Sequence, residues 1–214
     1  MPDLLAEYNA AAENVRQVHL DHIRGLGVTG HAMSALWRSG GLAPFGVATI
    51  ETRSDGSFLF GPGPAHIVQP VTYQGEVVDL VAWRSMTPER WLTRIGSAWS
   101  LGEDHLYANS DSLTEPHRPM VVATPLDWMR VAGEAFCILD WDAQDVRGLV
   151  AFDAIRCWGA GSTIGAAAYR KVSSSPSMSW SRARTPALYC QAAMNGVGTP
   201  YMTMARTKLP SLRV

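Results

Sequence analysis

The stretch Met120–Asp142 reads "MVVATPLDWMRVAGEAFCILDWD", and its punctuation decides the fold class. Two apolar runs, "MVVA" and "AFCIL", read as strands. Between them Thr124 is a good helix N-cap, and Pro125 suits the first helical position, where a missing N–H costs nothing. Asp127, three residues after Thr124, completes an approximate capping box. Downstream, "DAQDV" reads as a loop or short helix and "GLVAFDAI" as a further strand. The pattern over 120–155 is β-α-β-(α)-β, a compact α/β unit around a small parallel sheet.

Upstream the periodicity changes. "FGVATIET", "FLF", "HIVQPVTY" and "EVVDLVAW" alternate like strands, with hairpin signals at Asp55-Gly56 and Gln74-Gly75. They predict a small antiparallel sheet over 45–83, interrupted by "GPGP" at 61–64 as a rigid loop. Earlier still, Leu4, Leu5, Tyr8, Ala11, Ala12, Val15, Val18 and Ile23 recur near helical spacing, predicting one helix over 3–24. A second helix covers "GHAMSALWRSGG", closed by Gly40 and Gly41. The pair outlines a helix–turn–helix, but no basic recognition face follows, so the two helices read as packing elements.

"TPERWLTRIG" at 87–96 echoes "TPLDWMRVAG" at 124–133. Both carry Thr-Pro-x-x-Trp after an apolar run, so both predict a strand leading into a capped helix. The polar run 100–119 reads as an exposed loop with some strand around "HLYAN". The fold class is therefore α+β: an N-terminal helical segment at 1–43, a mixed α/β core at 44–157, and a basic, acid-free, disordered C-terminal tail at 158–214.

The tail follows from charge. All 19 acidic residues lie at or before Asp153, with only ten of the 18 basic ones. From Ala154 onward there are eight basic residues, including both lysines, and no acid. The acidic body does not suit duplex DNA, whereas the tail could meet nucleic acid or another anionic partner. An end translated from a shifted reading frame would show the same abrupt change. With 47% hydrophobic and 17% charged residues the chain belongs to the soluble globular class. It has no apolar run near the ~18 residues of a membrane span and no signal-peptide pattern at its start. Cys137, Cys157 and Cys190 are scattered, without a CxxC pair, which argues against a disulfide framework. A cytoplasmic protein without membrane contact is expected.

Several motifs could carry chemistry. Gly159, Gly161 and Gly165 follow a strand, but no downstream acid exists to hold a ribose, so they do not make a dinucleotide site. His19, Asp21 and His22 have metal-like spacing with no third ligand set, and read as a solvated helix face. Asp140 and Asp142, with Asp145 three further on, close the apolar run 135–139. Carboxylates at the C-terminal end of a sheet strand can hold Mg²⁺. Here residues 120–142 resemble a Toprim-type module, the fold of primases and topoisomerases. The resemblance implies strand, turn, helix and a strand ending in Asp-x-Asp, with Mg²⁺ bound by Asp140 and Asp142. Thr124 stands where that family carries its catalytic glutamate, and Pro125 where it carries glycine, so the resemblance implies a degenerate copy. Two functions follow. The first is a small protein of bacterial or phage type with a non-catalytic interaction role toward a protein partner, needing no cofactor. The second is a Toprim-like protein of nucleic-acid metabolism using Mg²⁺ at Asp140 and Asp142.

Overall fold

A computed structural model describes residues 2–107, 119–151, 154–158, 188–193 and 201–206. Three helices open the chain: α1 (Leu4–Glu13), α2 (Gln17–Gly25) and α3 (Gly30–Gly40). Four strands follow: β1 (Gly46–Thr52), β2 (Phe58–Tyr73), β3 (Glu76–Arg84) and β4 (Thr87–Thr93). They form an antiparallel sheet in chain order. Next come β5 (Ser100–Leu101), the helical turn α4 (Asp104–Tyr107), β6 (Met120–Val122), α5 (Pro125–Arg130) and β7 (Phe136–Ile138). A 3₁₀ helix over Gln144–Ala151 leads to β8 (Ala154–Trp158), and β9 (Leu188–Ala193) and β10 (Tyr201–Arg206) complete the set. The second sheet is mixed, in the order β5-β7-β6-β8-β10-β9. Its centre is the expected parallel unit, with β6 parallel to both β7 and β8.

The first sheet is a middle layer. One face carries Ile50, Phe58, Val68, Leu80 and Ala82 and packs on Leu4, Tyr8 and Ala11 of α1. The opposite face places Ile67 and Trp83 against α2, α3 and α5. Val71 and Val81 on that face meet Val122, Cys137 and Leu139 of the second sheet. Strand alternation sends Val121, Phe136 and Ile138 to the far side of the second sheet, where they join Leu106, Val146 and Leu149. Two polar contacts tie these layers together. The Trp83 indole N–H donates to Gln69 Oε1 at 2.7 Å. Arg94 grips Glu7 with two 2.8 Å bonds, tying α1 to the end of β4.

The single helix expected over 3–24 is instead α1 and α2, broken at Asn14–Arg16, where Arg16 is extended (φ −124°, ψ 167°). The cause is packing: α1 serves one face of the first sheet and Ile23 of α2 serves the other, so the chain must cross between them. α3 and its closure hold as read, with Gly41 left-handed at φ 66°. Both hairpins also form at the expected dipeptides, Gln74 (φ 51°) and Gly75 (φ 85°) making the primed turn.

"GPGP" is not a separate loop. Thr49 pairs Ala65 while Ile50 pairs Phe60, so residues 61–64 bulge out of one continuous strand. The first Thr-Pro-x-x-Trp copy is β4, not a helix. Trp91 lies directly across from Trp83, whereas the second copy is helix α5, capped by Thr124. "HLY" belongs to the helical turn α4, not to a strand, and the rest of that loop up to 118 lies outside the described residues. So do the Gly159–Gly165 motif and most of the expected tail, within which β9 and β10 are described as antiparallel strands beside β8.

Candidate functional site

The expected metal pair lies just past β7. Leu139 and Asp140 both donate their N–H to the Trp99 carbonyl, at 2.8 and 3.1 Å, which ends the strand. Asp140 Oδ1 then accepts the N–H of Asp142 at 2.9 Å, an Asx turn that points both carboxylates outward. Both residues are exposed. Asp145, the third acid of the run, faces elsewhere in its effect: with Asp104 it adds to the burial that raises the Glu103 carboxyl, against a lowering contact from Trp99. Among the described residues no three His, Cys, Asp or Glu side chains converge to hold a metal ion.

Thr124, at the position of the resembled family's glutamate, is buried, and its hydroxyl is committed. It accepts the Asp127 N–H at 3.0 Å and donates to Asp127 Oδ2 at 2.9 Å. Arg130 continues the chain of contacts, donating to Asp127 Oδ1 at 2.8 Å and twice to the Leu26 carbonyl. This network docks α5 on the end of α2. On α2 itself, His19 Nδ1 accepts the Arg16 N–H at 3.0 Å and Asp21 accepts from Gln17 at 2.8 Å, so these residues form a capped, solvated face. Cys137 is fully buried, and burial pushes its thiol up, away from nucleophilic reactivity.

What the second sheet does build beside Asp140 is a cleft of about 230 Å³ shared with the first sheet. Trp91 and Thr93 of β4 form one wall, Leu139 and Asp140 the other, and Gly96 and Ala98 the floor. Two contacts fix the walls. The Trp91 indole N–H donates to the Leu139 carbonyl at 3.1 Å, and a bridge between Ser57 and Thr93 closes the hairpin side. The floor is held by Asp79. Its carboxylate is fully buried and accepts five main-chain N–H groups: Leu80, Arg94 and Ile95 on Oδ1, Ser97 and Ala98 on Oδ2, at 2.8–3.3 Å.

No family model, curated protein or solved structure matches this chain. The site is therefore read from its own chemistry. Asp140 was legible in the sequence as a strand-end carboxylate. Trp91, Thr93 and the 96–98 floor were not, because only the pairing of two sheets brings them to it. The echo around Trp91 was the one local signal, and it pointed to a helix.

Proposed function

We propose that this chain works by non-covalent binding, as an interaction protein with no catalytic step of its own, and that it binds at the cleft beside Asp140. The observation that carries this reading is the open wall of the cleft. Its two sides are joined by the Trp91–Leu139 hydrogen bond, and one carboxylate faces solvent within it. Several other polar groups among the described residues are spent on structure: Asp79 on a loop, Thr124 and Asp127 on a cap, Glu7 and Arg94 on each other. The position also agrees with the general rule that open α/β sheets bind ligands beyond the carboxyl ends of their strands.

A second reading, a Toprim-like protein holding Mg²⁺ at Asp140 and Asp142, is favoured by one observation. β6 and β7 are parallel neighbours joined through α5, with Asp140 two residues past β7. One set of measurements separates the two. Amide-resolved NMR of the full chain with small cationic, neutral and anionic probes should give saturable shifts at Gly56, Gly96, Ala98 and Asp140 for at least one class. A panel in which no probe moves these amides refutes the binding reading. Thermal unfolding with Mg²⁺ or Mn²⁺ should leave the transition in place. A metal at ~100 times its dissociation constant stabilises by about 2.7 kcal/mol, and such a rise, lost in Asp140→Asn/Asp142→Asn, would establish the metal reading instead.

A further inference from the structure

We infer that the cleft takes an organic cation, an alkylammonium or guanidinium group, held between the Trp91 indole and the Asp140 carboxylate. This rests on the binding reading above and names the ligand class. Three features of the lining point to a cation. Asp140 Oδ1 is used by the Asp142 N–H, but among the described residues its second oxygen carries no hydrogen bond and is open to a donor. Trp91 lines the cleft beside this oxygen, and an organic cation gains from a carboxylate and from contact with an aromatic ring. The Thr93 hydroxyl, likewise without a hydrogen bond among the described residues, adds an acceptor. The surroundings agree: Asp55 adjoins the lining Gly56, and Asp142 lies two residues from Asp140.

The alternatives fit less well. An anion would find no basic side chain among the described residues of the lining. Arg90 precedes Trp91 on the strand and so projects from the other face. The Arg94 guanidinium is taken by Glu7 and the Phe58 carbonyl. Arg53, on the hairpin, acts on Asp55. A hard metal ion wants six or more oxygen ligands, and an indole wall offers none. The volume, about 230 Å³, suits the head of one basic side chain or a small amine but not a nucleotide.

The cation could be free or carried on a basic protein segment, and one titration distinguishes these sources. The full chain is titrated with N-acetyl-argininamide, N-acetyl-lysinamide and the neutral N-acetyl-glutaminamide, following the Trp91 indole N–H and the Gly96 and Ala98 amides. The two cations should shift these signals saturably and the neutral analogue should not. Asp140→Asn keeps the Asx-turn acceptor and therefore the fold, confirmed by an unchanged melting temperature, yet should weaken cation binding at least fivefold. Raising the salt to 0.5 M should weaken it as well, because the carboxylate is exposed. A short arginine peptide binding ten times more tightly than the single residue identifies a protein partner, and equal binding identifies a free small cation. Cations that leave the cleft silent while neutral or anionic probes saturate it overturn this inference and spare the binding reading. Equal cation affinity in wild type and Asp140→Asn overturns it too. Silence from every probe overturns both.

Discussion

Asp79→Asn is the substitution that tests the architecture most sharply, because it changes one atom at the floor of the cleft. The carboxylate is buried, and its five donors are all main-chain N–H groups. The asparagine amide can keep only one oxygen. The less costly orientation leaves the carbonyl on the Leu80, Arg94 and Ile95 side and turns the NH₂ toward Ser97 and Ala98. Two charge-assisted bonds are lost, of 2.8 and 3.3 Å, and donors then face donors. Hydrogen bonds to a charged group contribute roughly 1.5–3 kcal/mol each, so the loss should be about 3–5 kcal/mol, the weaker bond taking the lower figure. For a chain of this size that lowers the melting temperature by roughly 6–20 °C. Urea unfolding at pH 7 measures the free energy, and coincidence of fluorescence and far-UV transitions checks that one ΔG applies. A loss under 1 kcal/mol would refute the assignment of Asp79 as the anchor of residues 94–98. Amide exchange adds a local test, since Ser97 and Ala98 should lose protection before the strands do.

Gly63→Ala should destabilise by more than about 2 kcal/mol, because a Cβ there would lie 1.9 Å from the Ile50 carbonyl oxygen. Gly61→Ala in the same bulge meets only the Glu51 carboxylate at 3.8 Å and should be nearly neutral; equal effects in urea unfolding would contradict the bulge geometry. Thr124→Ala removes the cap of α5 and should cost roughly 1–2 kcal/mol, while Thr124→Ser, which retains the hydroxyl, should recover most of it. His66 is buried, and burial lowers its pKa from the ordinary 6.5 despite the bond to the Pro64 carbonyl. Below pH 6.5 the unfolded chain therefore binds a proton that the folded chain refuses. Stability is full above that pH and falls as pH drops toward the lowered value. Urea midpoints between pH 8 and 5 should show this slope in wild type and lose it in His66→Gln. Glu103, raised by burial, acts with opposite sign in the carboxylate range, so the comparison belongs above pH 5.

The sequence carried the local decisions well and the long-range ones poorly. Turn chemistry at Asp55-Gly56 and Gln74-Gly75, the Gly41 closure and the Thr124-Pro125 start were all readable because each rests on one or two residues with restricted backbone preferences. The apolar runs "MVVA" and "AFCIL" with a helix between them announced strands of a small parallel sheet, and β6 and β7 pair in parallel. The break between α1 and α2 was not readable, since the apolar spacing runs through it. It exists because the two halves pack on opposite faces of a sheet that comes later in the chain. The cleft was hidden for the same reason: its two walls belong to different sheets.

The Thr-Pro-x-x-Trp echo shows where local reading gives out. At Thr124 the helix has what it needs beyond the cap: Asp127 at the third position answers the threonine, Arg130 reaches the Leu26 carbonyl, and Leu126 and Met129, three apart, face one core. At Thr87 the aligned residues oppose a helix. Arg90 replaces the capping aspartate, Glu89 stands where Leu126 is apolar, and Thr93 and Ile95 are β-branched. β3 is meanwhile a strongly apolar strand that needs a partner, and a tight turn after Arg84 delivers one. Trp91 can then pack across from Trp83 and still reach the Leu139 carbonyl. That last bond joins the two sheets at the cleft. In a helix, Trp91 would have followed α5's tryptophan, whose indole bonds the Ala135 carbonyl seven residues on, and the wall beside Asp140 would not exist. The departure of the first copy from the shared pattern is thus the event that creates the candidate site.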